Sequence, residues 1–478
     1  MNYKYATPEE MGISSKNIRK YIDILESNHL ATHNLIIMRH KKILFEHYWA
    51  PFHREFRHRM YSVTKSFVAL AIGFLEQEGK LHLDDPISKY FPKESEHSHP
   101  LQRAQTIRHM LMMSNAMPNT GWFTDKPLDR VQHYFDRKNI GARPSGTVFH
   151  YDSEGSFILG ALVERISGMK IFDFLKERLF DRLGLGEVDC LTCPGGHSWS
   201  DSALLCRPID LLRVAEFCMN KGEGILNEEF LTAATSKQID NSEWLLPEHD
   251  AEGYGYLIWR NFDGSFFFNG MGCQFALCIP DKEIIMVYNG DNQGNPYAKK
   301  IIFDHFFELI ARPAGAPLPP AEPISTEGLK LYHAKGEKHS PLEDRISGKV
   351  YRLLENPMGI TELSLTFEED KGILRYTNAQ GEKTLPFGLC ANEFAPFPQK
   401  GYADRVGTIA GERLYQCAAS AAWLGEKSLF IKVQIIDTYF GVLNIRIGFE
   451  EKGIGIEMIK SAEDFLNEYQ GFAGGFYE

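Results

Sequence analysis

The stretch Arg59-Met-Tyr-Ser-Val-Thr-Lys-Ser-Phe-Val-Ala-Leu-Ala-Ile-Gly-Phe-Leu-Glu-Gln-Glu-Gly79 decides the fold. It predicts a helix that starts near Ser62 and stops at Gly79, the residue type best able to take the left-handed conformation past a helix end. From Val63 to Leu75 the stretch is apolar almost all round, which suits a helix in the middle of a domain and not one on its surface. Two polar groups, Ser62 and Lys65, stand at its buried start. Three residues apart, they share one helix face. The unpaired N–H groups and positive dipole end there favour negative charge on a nearby oxygen.

Working outward, Leu35-Ile-Ile-Met and Ile43-Leu-Phe-Glu-His-Tyr-Trp flank Arg39-His-Lys-Lys and read as a strand hairpin. Residues 8–28 predict a helix, with Ile18, Tyr21, Ile22 and Leu25 at helical spacing. Further helices are expected at 105–114 (capped by Thr106), from Phe157 to Ile166, at 208–221, at 227–236 and at 297–311. Strands are expected at Tyr254–Arg260, Ser265–Asn269, Gln274–Ile279 and Glu283–Asn289. Strands at both ends with helices between them imply one sheet built from distant pieces plus a helical lobe, an α/β (α+β) arrangement.

Residues 312–323 hold five prolines among small residues, the composition of a stiff linker. Beyond it, Thr361–Phe367, Gly372–Tyr376, Ser428–Ile436 and Val442–Phe449 alternate or run apolar between turn residues. The expected organisation is a mixed domain over 1–311, a linker over 312–329 and an antiparallel β barrel or sandwich over 330–478.

A chain of 478 residues is long enough for two domains, and 43% apolar with 24% charged residues is ordinary for a globular protein. Its net charge of −11 argues against nucleic acid or an anionic membrane surface as partner. The opening residues lack the apolar core of a signal peptide, and no run is long enough to span a bilayer, so a cytoplasmic protein is expected. Eight cysteines in so long a chain fit a reducing compartment better than a disulfide framework. Cys190-Leu-Thr-Cys193, with His197 and Cys206 after it, lacks a second pair at zinc-site spacing and reads as free thiols. No metal or cofactor is expected.

Three motifs in order carry a resemblance. Ser62-Val-Thr-Lys65 is an S-x-x-K. After Pro144-Ser-Gly-Thr-Val-Phe comes Tyr151-Asp-Ser153, followed by an apolar helix. Near the end of the sheet stands Phe268-Asn-Gly-Met-Gly-Cys-Gln-Phe275. Over roughly residues 8–311 the chain resembles the serine β-lactamase and penicillin-binding-protein superfamily, most closely its esterase and amidase branches. The resemblance implies acyl transfer: Ser62 attacks a carbonyl, and Lys65 and Tyr151 form the proton network, either of them able to act as base. It also implies an oxyanion hole from the backbone N–H groups of Ser62 and Cys273. Gly272, Ser153, Gln274, Trp122 and Tyr254 are expected at the substrate. Phe123, Asp125 and Tyr256 are further rim residues.

The chain departs from the superfamily pattern in three places. Gly270-Met271-Gly272 stands where β-lactamases and transpeptidases carry a lysine or histidine for a substrate carboxylate. Ser153 replaces the commoner asparagine, and Met113-Ser-Asn-Ala-Met replaces a T-S-G turn. These changes favour a small uncharged ester or amide substrate. A β-lactamase, a D-amino-acid peptidase or acyltransferase, and a binding protein reusing the fold stand as alternatives. The sequence leaves the oligomeric state open.

Overall fold

The computed structural model describes residues 3–118, 121, 125–137, 141–243, 248–313, 315–400, 413–463 and 465–478. Two compact units divide at Lys330 and Leu331. The first is built on a seven-stranded sheet ordered Lys4–Tyr5, Lys42–Tyr48, Thr32–Arg39, Ile284–Gly290, Gln274–Ile279, Phe266–Gly270, Trp259–Arg260. Only the Lys4–Tyr5 edge pairs in parallel. The early hairpin joins the late strands through Thr32–Arg39 against Ile284–Gly290, with Ile36 opposite Val287 and Ile37 opposite Met286. This is the sheet of distant pieces that the strand pattern implies. Every residue of Thr32–Arg39 and of Ile284–Gly290 is buried, as expected for central strands covered on both faces.

The helix Ser15–Ser27 buries Ile18, Tyr21, Ile22 and Leu25. It packs on the helix Ala298–Leu309, where Tyr21 donates to the Ile302 carbonyl at 3.0 Å and meets Phe306 edge-on at 5.7 Å. The predicted start at residue 8 is early. Gly12, at φ 70°, closes a separate turn over Glu9–Met11 before the helix begins.

The central helix runs Val63–Gln77, and every residue from Val63 to Leu75 is buried. It ends where Gly79, at φ 66°, donates to the Glu76 carbonyl and Lys80 to the Leu75 carbonyl, each at 2.9 Å. At Gly73 a Cβ would sit 2.6 Å from the Phe230 ring, so the helix Glu228–Ala234 packs where a larger residue would keep it away. On another side lies the helix Ser153–Ser167, capped by Asp152 and ended by Gly168 at φ 72°. Apolar side chains from Ile13 to Leu329 form one contiguous core.

Helices expected at 208–221, 227–236 and 297–311 lose two or three terminal residues, and two other elements shorten further. The helix over 105–114 covers Ile107–Leu111, because Met113 at φ 53° turns the chain away. Of Tyr254–Arg260, only Trp259–Arg260 is strand, since Gly253 at φ 107° and Leu257 at φ 55° break the extended run. The proline-rich segment lies against the first unit: Leu318 N–H donates to the Glu9 carbonyl at 2.9 Å, and Arg19 to the Ser325 carbonyl at 2.8 Å.

In the second unit, nine strands among the described residues close into a β-barrel. Closure comes from Gly381–Leu389 pairing in parallel with Gln416–Gly425, Gly388 opposite Ser420. All other pairs in the barrel are antiparallel. Leu429, Ile431 and Val433 alternate inward along Ser428–Ile436. Among the described residues, closure leaves no long open edge in this sheet. Among the described residues of the chain no helix is long and apolar enough to cross a membrane.

Candidate active site

The chain enters the central helix from a short strand, His58–Arg59, paired with Leu204–Cys206. Arg59 is buried and donates to the Ser202 carbonyl at 3.0 Å. Met60 N–H donates to the Leu204 carbonyl at 2.8 Å, and Tyr61 then turns the backbone at φ 46°. A bulky residue in the left-handed region costs on the order of 1–2 kcal/mol, which the surrounding contacts must offset. That turn puts Ser62, half-buried, at the helix N-cap, facing a cleft of about 400 Å³.

Lys65, one turn on, is 1% exposed. Its Nζ donates to Ser62 Oγ at 2.9 Å and to the Asp201 carbonyl at 2.6 Å, and lies 5.2 Å from the centre of the Tyr151 ring. Tyr151 lines the same cleft and stacks on Trp259, ring centres 5.6 Å apart and planes 22° from parallel. Ser62, Lys65 and Tyr151 therefore come together, as the motif order anticipates. Ser66, the neighbouring hydroxyl, is spent elsewhere: it donates to the Leu257 carbonyl at 2.9 Å.

Tyr151 is held by the residue after it. Asp152 is 1% exposed, and its Oδ1 accepts from Gly155 N–H at 3.0 Å while Asn115 Nδ2 donates to Oδ2. Burial pushes the Asp152 carboxyl above its usual range, with Arg137 opposing. A Cβ on Gly155 would fall 2.2 Å from Asn115 Nδ2, so only glycine lets the asparagine in. The Met113-Ser-Asn segment that departs from the superfamily turn thus supplies the side chain that braces this corner.

The third motif forms the opposite wall. Gly272 and Cys273, at φ 77° and 75°, turn the chain between Phe266–Gly270 and Gln274–Ile279. A Cβ on Gly270 would lie 2.3 Å from the Met60 carbonyl oxygen, so this strand runs directly against the segment that leads into Ser62. The turn is tied by Asn292, whose N–H donates to the Gly272 carbonyl at 3.1 Å. The strand register shifts at Asn289/Gly290, just before that segment. Among the described residues, the N–H groups of Ser62 and of Cys273 donate to no protein acceptor. Burial pushes the Cys273 thiol up to about 12, with nearby Lys299 opposing, so the thiol keeps its proton at neutral pH.

The other expected residues fall in different places. Gly272 lines the cleft with Cys273. Gln274 is buried behind the turn, donating to the Gly290 carbonyl at 2.6 Å and accepting from Asn289 at 2.9 Å, which makes it a support for the wall. Tyr254 is buried edge-on to Trp259 at 4.9 Å, backing the Tyr151–Trp259 stack, and burial holds its phenol well above the usual range. Ser153 opens the helix beside Tyr151, outside the cleft lining, and its carbonyl accepts from Ser156 at 2.8 Å. Tyr256 accepts from Arg108 at 2.6 Å, away from the cleft. Trp122 and Phe123 lie outside the described residues.

Sequence reading missed part of the cleft lining, where Asp250, Asn292, Asn295 and Lys299 join Trp259, Met271, Phe275 and Pro296. Lys299 Nζ contacts both carboxylate oxygens of Asp250, at 2.7 and 2.6 Å. The Asn-Gly-Asp-Asn-Gln-Gly-Asn-Pro run at 289–296 is a turn signal, but nothing in it says which way the turn faces. Near Cys190 and Cys193, His197 bonds Glu164 at 2.8 Å, and no group of metal-ligating side chains occurs among the described residues.

Residues 17–304 match the Beta-lactamase family model. The 6-aminohexanoate-dimer hydrolase of Paenarthrobacter ureafaciens is 22% identical over 237 residues, covering 45% of this chain and 60% of that protein. Penicillin-binding protein 4* of Bacillus subtilis (strain 168) is 29% identical over 136 residues, covering 27% of this chain and 29% of its own length. The chain thus spans less than two thirds of either of these relatives. An octameric penicillin-binding protein homologue from Pyrococcus abyssi shares the fold, with a TM-score of 0.52 at 17% identity over 96% of this chain and 99% of that one.

Proposed function

We propose, from the premise that this chain belongs to the Beta-lactamase family, that it is a serine hydrolase that cleaves a small ester or amide through an acyl-enzyme on Ser62. One observation carries the reading: a buried lysine donating at 2.9 Å to a serine hydroxyl that opens onto a cleft. Ser62 Oγ bonds to the substrate carbonyl carbon and gives up its proton to the Lys65–Tyr151 pair. The bond to the leaving alcohol or amine then breaks, and that group takes the proton. Water repeats the sequence on the acyl-enzyme, releasing the acid and restoring Ser62. The N–H groups of Ser62 and Cys273 are the natural donors to the oxyanion, since among the described residues neither has a protein acceptor. Removing one such donor costs about 10²–10³ in rate in comparable sites.

The cleft walls favour an uncharged acyl group. Trp259, Met271, Phe275 and Pro296 supply apolar surface, and the third motif offers Gly270 and Gly272 in place of a cation. A carboxylate brought into such a site is costly without a facing charge. The relative named for hydrolysis of a 6-aminohexanoate dimer is consistent with hydrolysis of a small substrate. The test is a panel of p-nitrophenyl esters, anilides and nitrocefin, with intact-mass detection of the acyl-enzyme. Turnover of short esters should exceed nitrocefin by orders of magnitude in kcat/KM and vanish in Ser62→Ala. Efficient nitrocefin turnover that depends on Ser62 overturns the substrate class. Full activity in Ser62→Ala overturns the mechanism.

A further inference from the structure

We propose that Asp250 masks the charge of Lys299 and that this pair sets the acyl selectivity of the cleft. The inference rests on the reading of the cleft as the substrate site of a Ser62 hydrolase. Among its described lining residues, Asp250 and Lys299 are the only two with a formal charge. They arrive from different elements: Asp250 ends the turn Glu248–Asp250, and Lys299 is the second residue of the helix Ala298–Leu309.

Their geometry makes one partner a screen for the other. Lys299 Nζ reaches both Asp250 oxygens, at 2.7 and 2.6 Å, so two of its three donors are committed to one carboxylate. The lysine side chain is 19% exposed and the aspartate 5%, so the cation is the member that an entering ligand meets. Nζ also lies 5.7 and 5.9 Å from the ring centres of Phe267 and Phe275, which are poor replacements for water around a charge. The neighbouring Asn292 is occupied with the fold, its Oδ1 accepting from Ala31 N–H at 2.9 Å and its Nδ2 donating to Tyr288 at 3.2 Å. Asp291 sits behind the turn, 3.3 Å from where a Gly272 Cβ would be, with Gln293 donating to it at 2.8 Å.

An intact pair therefore presents a near-neutral patch of lining to the substrate. Breaking it from either side leaves a poorly solvated charge that a ligand of opposite sign compensates. A pair that served only to anchor the turn to the helix would, when broken, affect charged and uncharged substrates alike.

The experiment measures kcat/KM for mono-p-nitrophenyl esters of succinate, glutarate and adipate, each against an uncharged p-nitrophenyl ester of matched length. Asp250→Asn should raise the anionic-to-uncharged ratio by about tenfold or more, because Lys299 then faces the terminal carboxylate alone. Lys299→Gln should lower that ratio by about tenfold, and the double variant should return it to within about threefold of wild type. If Asp250→Asn does not fold, Lys299→Gln and the double variant decide on the same ratio. Ser62-dependent turnover with a ratio that neither single variant moves overturns the mask alone. Absence of Ser62-dependent turnover on every ester overturns the hydrolase reading, and the mask with it.

Discussion

Lys65 Nζ stands 2.9 Å from Ser62 Oγ and 2.6 Å from the carbonyl oxygen of Asp201. The carbonyl holds the lysine head in place, so the amine faces the hydroxyl in a fixed geometry and is not searching rotamers. A general base or acid in such a position contributes about 10²–10⁴ in rate. Lys65→Met should cut kcat by that order, with KM changed far less. A serine-directed phosphonate should add once to the wild type, at Ser62, and much more slowly to the variant. Label found on Ser66 would contradict the assignment, since that hydroxyl is committed to Leu257.

Tyr151 has two separable parts, a ring stacked on Trp259 at 5.6 Å and a phenol hydroxyl. Tyr151→Phe keeps the ring and removes the hydroxyl. The expected result is a fall of about 10²–10³ in kcat with melting temperature preserved. Tyr151→Ala should also lose stability, because the stack is worth about 0.5–1.5 kcal/mol beyond its buried area. Equal kcat in wild type and Tyr151→Phe would remove the hydroxyl from the mechanism.

At Gly270 the two walls of the site touch. A Cβ there falls 2.3 Å from the Met60 carbonyl oxygen and 3.0 Å from Gln274 Cβ. The first obstacle is backbone and cannot rotate away, so in Gly270→Ala either the strand or the segment before Ser62 has to shift. The shift should cost at least about tenfold in kcat/KM, since about 1 Å of misplacement can cost 10²-fold. A variant of unchanged kinetics would show that the spacing of the two walls is not critical.

Acid should destabilise the first unit through His58. This side chain is fully buried, and burial pushes its pKa from the usual 6.5 down to about 3. The unfolded chain therefore binds a proton that the folded chain refuses. Stability is full above the unfolded value and falls as pH drops from about 6.5 toward 3. At pH 5 the loss from this residue alone is about 2 kcal/mol. His33, 5.4 Å away ring to ring, is shifted in the same direction by burial and adds to it. Chemical denaturation at pH 7 and pH 5 should show a smaller acid loss in His58→Gln than in the wild type. An identical pH response in both would point to another group.

The central helix, the placement of Ser62 above Lys65 and the apolar helix over 157–166 after Tyr151 were legible in the amino-acid sequence, while the start of that helix at Ser153 and its Asp152 cap were not. Each legible feature depends on spacing along one continuous element. A residue three positions away on a helix is a neighbour whatever the rest of the chain does, and a glycine ends that helix because only its own φ is at stake. The strand alternation of the barrel was legible for the same reason, although closure into a barrel over a sandwich depended on Gly388 reaching Ser420. Gln274 was expected at the substrate from the third-motif resemblance and Tyr254 at the pocket border, yet a side chain at a turn can face either way, and both face the interior.

Only the tertiary structure decided the rest. The acceptor that holds Lys65 is the Asp201 backbone carbonyl, a group that every residue carries and no sequence position can advertise. Asp250 and Lys299 stand 49 positions apart in different elements, so neither predicts the other. They meet because Ile284–Gly290 carries the chain back across the sheet, and the helix Ala298–Leu309 packs on Ser15–Ser27 with its first turn at the cleft. Local spacing is set by covalent geometry and reads directly from the chain. Contacts between distant elements depend on how a whole core packs, and that is where the pairing of Asp250 with Lys299 was settled.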